Sequence, residues 1–299
     1  MIHVLKDVQN LLGTFVTITV VHPDVAEGIR ALHGAFDEIR RIQGLMSVHR
    51  QDSEVTRLNR GGFCHGLSDD TLFVIQKAKD FSKLSDGAFD ITVFPVVELW
   101  REKTREGLVP TDKEIRERLG LVNYRDVLVE NRSIHFGKTG MGITLAAVAK
   151  GYAVDKAIEV LRQAHVKHGL VNAGGDIRCL GGKTETLPWR VAIRDPRNKD
   201  RVITTLELYN QAVATSGPYQ RPFNDIIHPK GGSPCWGVLS ATALGGSAME
   251  ADLLATWMIV AGTGCESIEH FAEKSFIIRE DGTILNRLAP WKENRAIYH

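Results

Sequence analysis

Apolar residues recur along the chain with two periods, and the changes between them predict most of its elements. The run "GTFVTITVV" at 13–21 concentrates β-branched and aromatic residues and predicts a strand. Between 24 and 43, Val25, Ile29, Leu32, Phe36 and Ile39 fall at helical spacing, which predicts a helix with one buried face. Ser68 followed by Asp69 and Asp70 has the composition of a helix N-terminus, and that helix runs to about Leu84, where "SDG" stops it. In "TDKEIRERLG", Thr111 and Glu114 stand at capping-box spacing and Gly120 is the stop. The stretch 126–136, "DVLVENRSIHF", predicts a hairpin turning at Asn131 and Arg132, and 146–164 predicts the longest helix.

Further strands are predicted at 169–173, 177–180, 189–194, 202–209, 211–215 and 235–243. A helix through Asp252, a short helix at 266–274 and a last hairpin, "FIIREDGTIL" with Asp281-Gly282 at its turn, follow. Helices and strands mix without strict alternation, and several strand pairs are sequential hairpins. The fold class is therefore α+β, with mixed, largely antiparallel sheets and packed helices, not a parallel doubly wound sheet. No repeat or low-complexity linker divides the chain, so residues 1–299 read as one domain, long enough for two intertwined lobes. The charged stretch around 100–125 reads as peripheral.

Composition narrows the function classes. Formal charge is +1, with no basic run of the kind that marks a nucleic-acid footprint and no acidic tail. Cys64, Cys179, Cys235 and Cys265 are scattered with no CxxC pair, as expected of thiols in a reducing compartment. The first twenty residues are too polar and broken for a signal segment, and no stretch reaches the roughly eighteen continuous apolar residues of a membrane span. As given, the chain reads as cytoplasmic, or as periplasmic if a leader has been removed.

Candidate chemistry begins in "AMEADLLATWMIV", 248–260, where Asp252 and Thr256 are the only polar side chains after Glu250. Four residues apart, they share one helix face. A buried carboxylate must be protonated, paired with a base or bound to a cation; a polar stripe meeting water or a neighbouring Arg is the other reading. Four more clusters join glycine to polar groups. "SDGAFDITVFP" (85–95) presents Asp90 and Thr92 around Phe89, and "LAAVAKGYAVD" (145–155) sets Lys150 at a helix start suited to a phosphate. "VNAGGDIRCLGG" (171–182) is a strand, a diglycine and an Asp, where a backbone can approach a ligand closely. "AVATSGPYQRPFNDIIHPKGG" (212–232) holds Arg221, Asp225 and His228. Singly, each is equally a turn. No Rossmann fingerprint, P-loop, nucleophile elbow, HExxH or EF-hand spacing occurs.

Together and in this order, the segments resemble the ApbE-like FAD:protein FMN transferase family. The resemblance runs from "LLGTFVTITV" through "LMSVHRQDSEVTRLN", "SDGAFDITVFP", "AVAKGYAVDKA", "LVNAGGDI", "WRVAIRDP" and "AVATSGPYQR" to "EADLLATWMIV", about residues 11–262. It implies a T-fold-like architecture and an enzyme that uses Mg2+ and FAD to attach FMN, through a phosphoester bond, to a Ser or Thr of a partner flavoprotein. In such enzymes the D-x-x-x-T of the late helix supplies magnesium ligands, so Asp252 and Thr256 inherit that role, with the Ala147 carbonyl completing the protein's share. The resemblance gives Ala88, Phe89 and Asp90 to the flavin pocket and Lys150 to the cofactor's phosphates or ribityl chain. Gly174, Gly175, Asp176, Thr215, Ser216 and Gly217 would line the nucleotide.

Departures from the family pattern are equally specific. Where the family usually has H-I-I-D-P-x-T-G, this chain has "DIIHPKGG". Asp225 stands in the place of the candidate catalytic His, His228 in the place of the Asp, and Gly231 in the place of the Thr. Thr144 replaces a family Asp, Ala146 a Gly, and Leu12 a Met, and His49 occupies a position usually aromatic. Leu12, His49 and Thr144 are expected at the cofactor, and Asp225 and His228 in the acid–base chemistry. Three activities remain open: FMN transfer with a rearranged acid–base pair, hydrolysis of FAD to FMN and AMP, and FAD binding without catalysis. Acceptor sites of the family resemble D-G/A-x-S/T-G-A-T/S, and no such run occurs here, so FMN is not expected on this chain itself.

Overall fold

The β-branched run predicted at 13–21 becomes the second strand of an eight-stranded antiparallel sheet in a computed structural model that describes residues 1–217, 224–262 and 275–286. β1 (His3–Leu11) and β2 (Thr14–His22) form a hairpin. Its turn residues, Leu12 and Gly13, both have positive φ (55° and 70°), the pairing that matches a two-residue turn to strand twist. β1 is absent from the sequence prediction because Lys6, Asp7, Gln9 and Asn10 interrupt its apolar positions.

Local caps place the helices. Asp24 accepts the Glu27 N–H at 2.8 Å and opens α1 (Val25–Met46). Ser53 caps α2 (Glu54–Gly61), ahead of β3 (Phe63–His65). Ser68 opens α3 (Asp69–Leu84), as its sequence predicts. A 3-10 turn at Ile91–Val93 leads into α4 (Phe94–Arg105), and α5 (Asp112–Leu119) carries the Thr111/Glu114 capping box. α5 buries no residue fully, in keeping with a peripheral charged stretch. β4 (Val127–Glu130) and β5 (Ser133–Phe136) form the predicted hairpin and join β3 in a small sheet.

α6 (Ala149–Gln163) begins three residues later than the sequence predicts and, at 15 residues, is shorter than the 22-residue α1. The Leu145 carbonyl takes the N–H groups of both Val148 and Ala149, a tight turn that keeps 146–148 out of the helix. β6 (His168–Ala173), β7 (Asp176–Leu180), β8 (Trp189–Asp195), β9 (Asn198–Leu208) and β10 (Ala212–Ser216) follow. β11 (Val238–Gly245) starts later than its predicted 235 because Cys235 donates to the Ile226 carbonyl and Ile227 bridges Pro234. α7 (Ala248–Ala261), β12 (Ser275–Arg279) and β13 (Ile284–Asn286) complete the described chain. The helix expected at 266–274, Cys265 and Arg221 lie outside the described residues.

The large sheet has the order β1-β2-β6-β7-β10-β11-β12-β13. α1 and α6 cover Val16, Ile18, Val20 and Val171 of one face in the main core. α7 lies beside them on Ala214, Ala241 and Ala243, whose small side chains let the helix come close. The β8–β9 ribbon covers part of the other face with Trp189 and Leu208 against Ile177, Cys179 and Val213. Cys64, Cys179 and Cys235 are buried free thiols. Among the described residues, no helix is long and apolar enough to cross a membrane.

Candidate active site at one end of the sheet

Strand register gathers the predicted nucleotide residues at one end of the large sheet. Ala173 pairs with Asp176 across the Gly174–Gly175 turn, and Val16 pairs with the same Ala173. The Leu12–Gly13 turn and the diglycine turn therefore lie side by side. A side chain on Gly174 (φ 61°) would run into Thr14, so glycine is required there both by conformation and by space. Gly175, at φ 106°, donates its N–H to Asn172 Oδ1 at 2.9 Å. β10 runs antiparallel to β7, with Val213 opposite Ile177, which brings Thr215, Ser216 and the following Gly217 to the same end. The Leu12 N–H reaches back to Gln43 Oε1 near the end of α1 (3.1 Å).

Charges meet behind these turns. Lys150, on the first turn of α6, pairs with Asp176 at the start of β7. Asp252 of α7 sits against the same carboxylate and 3.4 Å from the Gly151 N–H. Both acids are almost sealed, Asp176 at 1% and Asp252 at 2% exposed. Burial first, and then the neighbouring Asp176 charge, push the Asp252 carboxyl far above the usual carboxylate range, to about 8, with Lys150 opposing. Thr256, one turn along α7, lies 3.1 Å from the Ser216 hydroxyl. The polar stripe of α7 thus meets neither water nor an arginine. It meets a second acid and a lysine.

This donor set fits a divalent cation that prefers hard oxygen ligands. Asp176 Oδ1 is buried with no hydrogen-bond partner among the described residues. The Ala147 carbonyl lies just before α6, where the Gly151 N–H approaches Asp252 and not the carbonyl four residues back. Of the predicted ligands, Asp252 meets Asp176 and Thr256 follows it one turn along the same face of α7, while the Ala147 carbonyl lies on the chain just ahead of α6. Among the described residues, no three His, Cys, Asp or Glu side chains converge. A cation here would rest on two carboxylates, with neutral oxygens and ligand phosphates completing its shell.

The remaining expected residues divide. Ala88 and Ile226 both pack against the α7 cluster, and Phe81 stands edge-on to Phe89 (5.4 Å) and to Trp257 (5.5 Å). Asp90 is committed to its own chain: its oxygens accept the Thr92 N–H (2.8 Å), the Thr92 hydroxyl (2.6 Å) and the Tyr124 N–H (2.9 Å). Its expected place at the flavin is thus that of a residue shaping the turn that holds Ala88 and Phe89. Thr144 donates its N–H to the Ile91 carbonyl (2.9 Å), and its hydroxyl accepts the Ala146 N–H (3.3 Å). His49 is exposed in the turn after α1, its N–H on the Ser47 hydroxyl (3.2 Å).

Asp225 and His228 lie on a loop, 224–235, docked against α4 and α5. Trp100 Nε1 donates to the Gly232 carbonyl at 2.7 Å, and a side chain on Gly232 would strike Ile115. Lys230 bridges to Asp86 at 3.0 Å, joining this loop to the 85–90 turn. Asn224 ties the two ends together through the Cys235 carbonyl. His228 Nδ1 accepts the N–H groups of Lys230 (3.2 Å) and Gly231 (3.0 Å). Two backbone donors on Nδ1 put the ring proton on Nε2. His228 thus does in this turn what an aspartate side chain does in an Asx-turn.

Three residues outside the sequence-based set shape the site: Gly151, Asp155 and Arg178. Asp155 is four residues past Gly151 on the same helix face, and Arg178 is two past Asp176 on the same strand face. Both spacings are visible in the sequence once the site is known, but neither carries a motif.

The fold and this site define a class: an α+β protein with a buried acid-and-lysine cluster at a sheet end, suited to a phosphorylated ligand and a divalent ion. The chain belongs to the ApbE family, whose model matches residues 12–277. A FAD:protein FMN transferase of Vibrio cholerae is 32% identical over 266 residues, 84% of this chain and 79% of the relative. Among solved structures, the ApbE protein of Thermotoga maritima superposes with a TM-score of 0.87 at 31% identity, covering 95% of this chain and 96% of that one. The flavin transferase ApbE from Vibrio cholerae gives 0.84 at 29% identity, with 98% and 99% covered.

Proposed function

We propose that this protein transfers FMN from FAD to a Ser or Thr hydroxyl of a partner flavoprotein, with Mg2+, and releases AMP. The observation that carries the reading is the meeting of Lys150, Asp176, Asp252 and Thr256 beside the diglycine turn, in a family whose relatives are named for this activity. Asp252, Thr256, the Ala147 carbonyl and Asp176 would hold the ion. When bound, it neutralises negative charge on the pyrophosphate.

The chain's own groups supply the rest. The backbone of the Gly174–Gly175 turn and of Thr215–Gly217, gathered at one end of the sheet, would line the nucleotide. Lys150, at the start of α6, places a cation near the phosphates. The acceptor oxygen forms a bond to the FMN-side phosphorus, the bond from that phosphorus to the bridging oxygen breaks, and AMP departs with the electron pair. Asp225, half-buried on the loop that Lys230 ties to the flavin-side turn, takes the hydroxyl proton. His228, protonated at Nε2, is a hydrogen-bond donor in the resting state; its Nδ1 would have to release two backbone N–H groups to act as a base.

Hydrolysis is the second reading, favoured by the two backbone N–H groups that occupy His228 Nδ1. With the imidazole fixed in a turn, Asp225 can activate water as readily as a hydroxyl.

One experiment separates these readings. Pure protein is incubated with FAD and Mg2+, with and without a peptide carrying the family's acceptor motif. AMP release with a gain of FMN mass on the peptide is the expected result. AMP with free FMN in both arms selects hydrolysis, and retained FAD without products selects binding alone.

A further inference from the structure

α7 is buried on nearly every side, from Ala248 and Ala251 through Val260. Apart from Asp252 and Thr256, which are themselves buried, α7 has no exposed polar face beyond its first turn, so burial of apolar surface alone constrains its register less than in an amphipathic helix. Register nevertheless decides where Asp252 and Thr256 point. Buried polar contacts supply what hydrophobicity cannot.

Asp155 of α6, 6% exposed, accepts the N–H of Ala248 on Oδ1 (2.8 Å) and that of Met249 on Oδ2 (3.0 Å). These are the first two residues of α7, so the carboxylate also meets the positive end of its dipole. Arg178 of β7 donates to Asp155 Oδ1 at 2.7 Å. Two residues away on the same face of β7, Asp176 takes Lys150 of α6. The two pairs carry opposite signs: helix positive and strand negative in one, the reverse in the other. Five helix residues rise about 7.5 Å and two strand residues about 6.7 Å, so both pairs close at a single setting of α6 on β7. A slip brings like charges together. Gly151 completes the joint, since any side chain there would collide with the Ala248 carbonyl.

We propose that Asp155, held by Arg178, is a positioning residue that sets the register of α7 and with it the placement of Asp252 and Thr256 for a divalent ion. The inference rests on the function proposed above and adds to it the part that orients the ion's ligands.

The test measures thermal stabilisation of the protein against Mg2+ concentration, with FAD present, alongside the Mg2+ requirement for AMP release. In Asp155→Asn the midpoint of both titrations is expected to rise about 10–100-fold, as when a group behind a metal ligand is lost. Arg178→Met is expected to shift both in the same direction, and Arg178→Lys to restore most of the shift. Asp70→Asn, which weakens a partly buried contact of α3 with the Tyr152 hydroxyl of α6 and touches neither Asp155 nor α7, lowers the melting temperature but leaves the midpoint in place. Should Asp155→Asn fail to fold, the Arg178 pair decides alone. Midpoints within twofold of the wild type in Asp155→Asn and Arg178→Met overturn the inference while the function stands. A wild-type protein with neither a Mg2+ response nor product removes the function, and the inference with it.

Discussion

Lys150 and Asp252 reach their partners across 26 and 101 residues of chain, whereas His228 and Asn224 shape the 224–235 loop through contacts two to eleven residues away. In the first region both acids are buried, and their pairing depends on three separate elements. In the second, a turn needs only an acceptor atom at the right place to satisfy backbone N–H groups. The contrast explains how a His can build this turn, a task an Asp side chain also performs. Imidazole Nδ1 and a carboxylate oxygen both accept N–H bonds. At Asp252 the side chain is sealed beside a second carboxylate and a lysine, a setting in which an imidazole is not an equivalent replacement.

The largest effect that sharpens this contrast is expected at Asp252. Asp252→Ala should cut Mg2+-dependent AMP release by at least about a hundredfold, since it removes one of the two carboxylates proposed to hold the ion and leaves Asp176, already paired with Lys150, as the other. A wild-type rate in that variant removes the metal from the α7 stripe. Next, Gly151→Ala puts a methyl group against the backbone of Ala248 and Met249. We expect it to lose about 1–3 kcal/mol in urea unfolding, the usual cost of overpacking. An unchanged unfolding midpoint would mean that α6 and α7 are not in tight contact.

On the loop, smaller effects should separate turn-building from proton transfer. His228→Asn retains a turn acceptor and should keep most acceptor-peptide labelling, while His228→Ala, which leaves backbone N–H groups without a partner, costs the loop about 1 kcal/mol and labelling several-fold. Equal, severe losses in both variants would make the imidazole a proton carrier. Asp225→Ala should lower labelling more than either. If Asp225→Ala and His228→Ala both label normally, transfer does not use this loop.

The smallest effect concerns Asp70 of α3, which reaches α6 through the Tyr152 hydroxyl. Burial pushes its carboxyl up, but Arg41 and the Tyr152 hydroxyl together pull it further down, leaving it below the ordinary 3.8. A depressed carboxyl stabilises the fold above its unfolded value and loses that contribution as pH falls through the folded value. Asp70→Asn should therefore be less stable than the wild type by about 1 kcal/mol at neutral pH. The gap should narrow below about pH 4 in acid-unfolding curves. A gap that widens in acid contradicts the pairing with Arg41 and Tyr152 (2.7 and 2.5 Å).

Much of this architecture was readable before any coordinates. Ser68 and Thr111 mark their helices, and Asn131 and Asp281-Gly282 their hairpins, because caps and turns are made by residues adjacent in the chain. β1 was not legible, since four polar residues break its pattern and only pairing with β2 makes it a strand. The start of α6 is shifted because Ala146, Ala147 and Val148 suit a helix as well as they suit the turn they form. At the site, Asp252, Thr256 and Lys150 stood out as polar groups in apolar surroundings. Asp155 and Arg178 did not, because a charged residue on a helix or strand ordinarily faces water.

By itself, then, the sequence determined the elements, the antiparallel α+β class and which segments carry unusual polar residues, all consequences of short-range periodicity and turn chemistry. Tertiary structure decided which acid meets which base: that Asp176 joins Lys150 and Asp252, that Asp155 caps a helix begun 93 residues later, and that His228 builds a turn. Those outcomes depend on distances that exist only once the sheet has closed and water has left, when an unpaired buried charge becomes too costly to keep.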